Sequence, residues 1–370
     1  MKKKLLALSI GAALTAATVP AMSAELKISG RAHVSVDHID NGASGDANKS
    51  GLTMSSNSSR LRVSGSKEVT EGLTAIMQLE QNVRFDQSGG NFASRDSFAG
   101  LKGDFGTVRF GFFDTPLKKV RSFTDMFGDR IGDARNITSG DNLSFDNRFR
   151  NGIGYTTPNF NGFNLDLQYS ATNEADAGSN AQLDNGREAY SAALNFRADG
   201  LRVSLAVESL EQGFTTDTVA KITSKKQNDA AVAYRLGLTY DFTKELKVAA
   251  FYQNSNKRKV YNANETLNRE IGSRDVFGVG ASYRMGDYVV RGQYYNASNE
   301  SGTKKTGADM FAVGLDRRFG RDLTLYGAYA MTNNQDNATF SAVGGGRDTR
   351  QSAVKGKDMS AFSVGLVYNF

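Results

Sequence analysis

The chain has 370 residues, with 39 Gly, 3 Pro, no Cys and no Trp. Without Cys, a zinc–thiolate site, an iron–sulfur cluster and a disulfide framework are all excluded. Charged residues make up 23 % and nearly balance, 45 basic against 39 acidic, which is unlike a disordered polyelectrolyte.

Lys2-Lys3-Lys4 precede an apolar run from Leu5 to Val19 and the small residues Ala21, Ser23 and Ala24. That order is a secretory signal. Residues 1–24 are therefore read as an address and 25–370 as one domain, with cleavage on one side or the other of Ala24. Losing the three lysines lowers the formal net charge from +6 to +3, which removes the compositional case for a nucleic-acid partner. Past residue 24 no run approaches the roughly 18 apolar residues of a spanning helix.

From Leu26 onward apolar and polar residues alternate, the period of a strand with two unlike faces. Phe163, Leu165, Leu167 and Tyr169 share one face, as do Leu201, Val203, Leu205 and Val207. Tyr234, Leu236, Leu238, Tyr240 and Phe242 follow, with Arg235, Thr239 and Asp241 opposite; Phe362, Val364, Leu366, Tyr368 and Phe370 close the chain. Sixteen such segments are counted, about 22 residues per strand with its share of connections. Connections alternate between short ones, such as 103–106, 198–200 and 285–287, and long polar ones, such as 40–55, 254–273 and 332–358. This predicts an all-β fold: an antiparallel up-and-down transmembrane β-barrel of sixteen strands with short turns at one end and long loops at the other.

A soluble β-sandwich also alternates, but its apolar face would favour Val, Ile and Leu. Here aromatics recur at strand ends, and Tyr234 to Phe242 spans about 26 Å, close to the spacing of two aromatic girdles once the strand tilts. Closure would also remove the sheet edges that lipid does not tolerate. Parity then places Arg31, Arg60, Arg62, Arg202, Arg235, Lys247, Arg284 and Arg291 on the face away from lipid, with Asp37, Glu80, Asp166, Glu208 and Asp241.

Several segments resemble the trimeric general diffusion porins of Gram-negative outer membranes. Ser59–Gly65 is similar to that family's second strand, Phe98–Gly106 to its fourth strand and turn, and Asn147–Tyr155 with Pro158–Phe163 to its sixth and seventh. The terminal Phe370, with Tyr368 two residues before it, resembles the signal read by the outer-membrane assembly machinery. The resemblance implies a homotrimer in the cell outer membrane that passes ions and small hydrophilic solutes. It also implies a third outer loop folded into the pore, here residues 114–146. Val120, Phe123, Met126, Phe127 and Ile131 make this segment too apolar for a loop lying in water. By the same comparison, Arg31, Arg60, Arg95 and Arg148 fall at the family's basic cluster, joined by Arg62, and Asp125, Asp129 and Asp133 on the facing acidic loop. A further basic position of the family reads Phe112 here, so Arg109 is a candidate to replace it. If Arg95 faces the lumen, parity sends Phe98 to lipid.

Catalysis finds no footing. His33 and His38 are the only histidines, and a separation of five puts them on opposite faces of one strand, unable to share a metal. No nucleophile elbow is visible, and Gly344-Gly345-Gly346 lacks the Lys-Ser/Thr of a phosphate cradle, reading instead as flexible loop. No cofactor is called for. The alternatives to a general channel are a substrate-specific channel, for which Phe251, Tyr295 and Tyr326 are the scattered lumen aromatics, or a surface receptor acting through its loops.

Overall fold

The computed structural model describes residues 24–87, 94–139, 145–171, 173, 187–211, 214–217, 222–262 and 264–370; the expected signal segment, but for Ala24, lies outside them. Sixteen antiparallel strands form a closed wall. The first, Glu25–Asp40, pairs on one side with the last, Met359–Asn369, and on the other with the second. The second strand comes in two pieces, Gly51–Ser56 and Arg60–Thr70, divided where Ser58 takes a φ of 52°. Across the break the Asn57 N–H still donates to the His33 carbonyl at 2.8 Å and the His33 N–H donates to Ser59 Oγ at 2.9 Å, so the ladder is patched. Every later wall strand pairs with its sequence neighbour, for example Leu201–Leu210 with Ala189–Ala198 and with Ala231–Asp241. No described helix is long and apolar enough to cross a membrane; the crossing elements are strands.

The two faces of the wall are inverted relative to a water-soluble protein. Outward residues are large and apolar yet exposed, as with Leu205 at 56 % and Tyr234 at 52 %, whereas inward neighbours such as Glu208 and Arg235 are fully buried. This inversion suits a wall with lipid outside and polar groups inside. The short turns obey local chemistry: Asp199 and Gly200 both take positive φ, 44° and 80°, as a two-residue hairpin turn of the primed type requires.

At the seam, Gly30 and Phe370 exchange backbone hydrogen bonds of 2.7 and 3.1 Å. A Cβ on Gly30 would lie 2.3 Å from the tip of the Phe370 ring, so the glycine leaves room for that ring to lie over the first strand. Phe370 also stacks on Tyr368 at 5.8 Å, and both rings face outward. His33 is buried and His38 exposed, on opposite faces as their spacing requires.

Two long connections turn inward and fill part of the lumen. The segment between the fifth strand, Gly106–Asp114, and the sixth, Arg148–Thr156, was foreseen to do so. The last long connection, residues 335–358, was expected to be an outer loop, and it too enters the barrel.

Candidate functional site

Thr115 begins the first inward loop by capping helix α1 (Pro116–Thr124). Its hydroxyl accepts from the Lys118 N–H at 3.2 Å, and Pro116 sits in the first turn, where a missing N–H costs nothing. Leu117 and Val120 are fully buried with Phe149 against wall residues cut back to alanine, Ala193, Ala206 and Ala233, and Phe123 packs alongside. Past the helix, Met126, Phe127 and Ile131 pack on Ala312, Ala328 and Ala330. Gly132 makes the closest approach: a Cβ there would lie 2.5 Å from that of Ala312.

Buried charges then fix the loop. Arg235 on the wall donates to Asp146 at 2.9 Å, and Asp146 also accepts from Arg121 at 3.0 Å. Arg121 reaches Asp125 at 3.1 Å and Asp133 at 3.8 Å. Asp125 further accepts from the N–H groups of Phe127 and Ala134 at 2.9 and 3.0 Å, and Asp133 from those of Asp129 and Arg135 at 2.7 and 2.8 Å. Both carboxylates are fully buried, so Asp125 and Asp133 do not stand across the pore as a facing acidic wall; they are consumed in closing the loop's own turns. Asp129 differs. It is 17 % exposed and bridges Arg135 at 2.7 Å to Arg31 on the first strand at 3.3 Å.

These settings separate the acids. Burial pushes the Asp125 carboxyl up to about 7, helped by neighbouring Asp133 and opposed by Arg121. Burial also works against Asp129 and Asp146, but Arg135 and Arg31 hold the first, and Arg235 and Arg121 the second, far below the usual carboxylate range.

Opposite the loop stand the arginines. Arg62 and Arg95 share Glu80 at 2.5 and 2.6 Å, and Arg148 reaches Asp96 at 2.5 Å and Asp114 at 3.0 Å. Arg60 donates only to the Ser58 carbonyl, at 3.3 Å, and has no ion pair among the described residues. With Arg31 and the loop they enclose a cavity of about 460 Å³, lined by ten basic and five acidic side chains. All of Arg31, Arg60, Arg62, Arg95, Arg148, Asp125 and Asp129 line it; Asp133 lies behind. Lys118, Arg121, Arg130, Arg135 and Arg291 also line it; of these only Arg291 was placed on the inward face by parity, and none was assigned to the throat.

Other expectations are corrected. Arg95 precedes the strand Ser97–Gly103, so parity does not tie it to Phe98, whose ring turns inward onto Phe113 at 5.8 Å. Arg109 does not join the throat; it lies over the Phe113 ring at 4.6 Å and faces Asp166 at 3.6 Å. Phe251, Tyr295 and Tyr326 are buried beneath the inward loops rather than forming an aromatic track, Tyr326 lying under Arg130 at 4.0 Å. Gly344-Gly345-Gly346 is held, not loose. The Gly345 N–H donates to Asn136 Oδ1 at 2.7 Å, the Gly346 carbonyl accepts from Ser58 Oγ at 2.8 Å, and Arg347 pairs with Asp37, both fully buried. Ala342 and Val343, also fully buried, and Phe340, buried nearby, were the available signal for this loop.

A closed barrel with lipid-suited walls and a charged, partly blocked lumen defines a membrane channel. The model of the Gram-negative porin family matches residues 10–337, and the chain belongs to that family. Among its relatives, the major outer membrane protein P.IB of Neisseria gonorrhoeae is 25 % identical over 337 residues, covering 87 % of this chain and 90 % of that one. Outer membrane porin protein 32 of Delftia acidovorans is 33 % identical over 180 residues, 46 % of this chain and 50 % of that one. In solved structures, the anion-selective porin from Comamonas acidovorans superposes with a TM-score of 0.74 at 22 % identity, covering 94 % of this chain and all of that one. The protein is an outer-membrane porin, a channel for passive diffusion of ions and small hydrophilic solutes.

Proposed function

We propose that the channel leans modestly towards anions and that Arg31, Arg60, Arg62, Arg95 and Arg148 set this preference at the throat. The observation that carries the reading is the two-to-one excess of basic over acidic lining groups, with Asp125 and Asp133 spent inside the loop. Arginine suits the task because it stays charged at any accessible pH. The partners of Arg62, Arg95 and Arg148 offset part of the field, which keeps the lean modest, and salt screens it over about 8 Å at physiological strength. The porin described as anion-selective, from Comamonas acidovorans, shares this fold.

The working unit is a homotrimer embedded in outer-membrane lipid, acting as a passive channel and not as an enzyme; an OmpT of Vibrio cholerae described as a trimer form is among the similar folds. Residues 1–24 are removed on export, and Phe370 with Tyr368 presents the chain to the assembly machinery. Reversal potential in planar bilayers under a potassium chloride gradient tests the selectivity: an anion-side value that shrinks with rising salt supports it, and a cation-side value overturns it. Migration in mild detergent tests the trimer, which a purely monomeric species would rule out.

A further inference from the structure

A second basic chamber lies towards the short-turn end of the barrel. Its cavity is about 870 Å³, larger than the throat, and it shares Arg31, Arg130 and Arg291 with the throat lining, so the two stations adjoin. Its outer rim carries Lys244, Arg284, Arg318 and Arg321, all from the hairpin ends around 243–245, 284–287 and 318–322.

None of these four forms an ion pair among the described residues, although Arg284 donates to the Gly286 carbonyl at 3.0 Å. Eight basic side chains line the chamber against four acidic ones, Asp199, Asp241, Glu245 and Asp316. Asp316 is held by Arg130 and Arg291, Asp241 by Lys247, and Glu245 accepts from the Thr243 hydroxyl. Strand register sets the spacing: Arg284 stands opposite Val289, and Arg291 stands opposite Ser282, one inward-facing row further in. Two residues along a strand is about 7 Å, so the cations form steps leading from the turn end to the throat.

We propose that this chamber is a capture site for small multivalent oxyanions, the polycarboxylate and phosphate-ester class, approaching from the short-turn side. A single charge in an open, wet chamber gains little from one screened cation. An anion carrying two or three charges spans several rim cations at once and then meets the shared arginines without leaving positive potential. Among the described residues, the long-loop side of the throat is occupied by the two inward loops, whose apolar residues pack on the inner wall. The channel is therefore asymmetric towards multivalent anions. This inference rests on the anion-leaning throat proposed above.

The test is block of chloride current by citrate, with acetate as the monovalent control, added to one chamber of a planar bilayer at a time. Because the chain has no native Cys, Lys304→Cys in a long loop, read by a membrane-impermeant thiol reagent, reports which way the channel faces. Citrate from the short-turn side reduces the current at lower concentration than from the long-loop side, and acetate shows no side preference. The double variant R318Q/R321Q, and independently K244Q/R284Q, needs about threefold to tenfold more citrate for the same block from the short-turn side. Equal block from both sides, or sensitivity unchanged in both variants that still insert as conducting channels, overturns the capture site. A wild-type reversal potential on the cation side instead overturns the throat reading, and the two failures are read separately.

Discussion

The wall and the inward loops of this porin are held by different forces. Wall strands are fixed by continuous backbone ladders, and the side chains only need to suit lipid on one face and water on the other. The loops have no ladder. Residues 115–147 are held by apolar side chains seated on small wall residues and by a chain of buried charges running from Arg235 through Asp146, Arg121, Asp133, Arg135 and Asp129 to Arg31. One consequence is that substitutions in the wall act on assembly, whereas substitutions in a loop act on conduction, where solutes pass.

The largest effect should come from the wall's seam. Phe370→Ser removes the ring lying over Gly30, and outer-membrane levels should fall several-fold while the channels that do form conduct normally; equal levels of variant and wild type would refute it. Next comes the loop anchor. Asp146→Asn leaves Arg235 and Arg121 buried without their shared carboxylate, a loss on the order of 3–5 kcal/mol for a broken buried pair. The variant should still reach the outer membrane as a folded barrel, but single-channel current should become noisy and larger. A quiet, wild-type trace would mean the charge chain does not hold the loop.

The second loop offers a milder break. Replacing Asp37 and Arg347 together, D37N with R347M, avoids a lone buried charge and removes the pair that holds residues 335–358 inside. Permeation of larger uncharged solutes, measured by liposome swelling, should rise; an unchanged size limit would show that the glycine contacts alone suffice. The smallest effect is with pH. Because the Asp125 carboxyl is pushed up to about 7, it takes up a proton as pH falls through neutrality and removes one negative charge from beside Arg121 and Arg291. Anion preference should therefore strengthen slightly from pH 8 to pH 6. Linkage has the matching sign: the group's stabilising contribution is present at low pH and is lost as pH rises through about 7. Asp125→Asn should abolish the pH step in reversal potential.

What the sequence revealed follows the same division. Period-two alternation and turn residues are local, so strand number, facing and the outward set that ends at Phe370 could be read directly. The first inward loop announced itself through Phe127 and Ile131, whose burial needs a partner surface. Which acids would face the pore was not legible, because the difference between Asp129 and Asp125 lies in backbone N–H groups that only the folded turn brings to Asp125. Phe98 and Arg95 misled for a related reason: parity holds within a strand, and Arg95 lies before one. The loop at 335–358 looked polar and glycine-rich, and the few apolar residues that carry it inward, Ala338, Phe340, Ala342 and Val343, were too short a signal to outweigh that.

The most direct test is whether throat charge sets ion preference with opposite signs on its two sides. Reversal potential under a salt gradient should be compared for wild type, for R60Q/R148Q and for D129N, which removes the one of the three expected loop acids that remains partly exposed. The arginine variant should move the potential towards cations, and D129N should move it further towards anions, both shifts shrinking at high salt. Shifts in the same direction, or none in either variant, would mean the throat's charges merely solvate the wall.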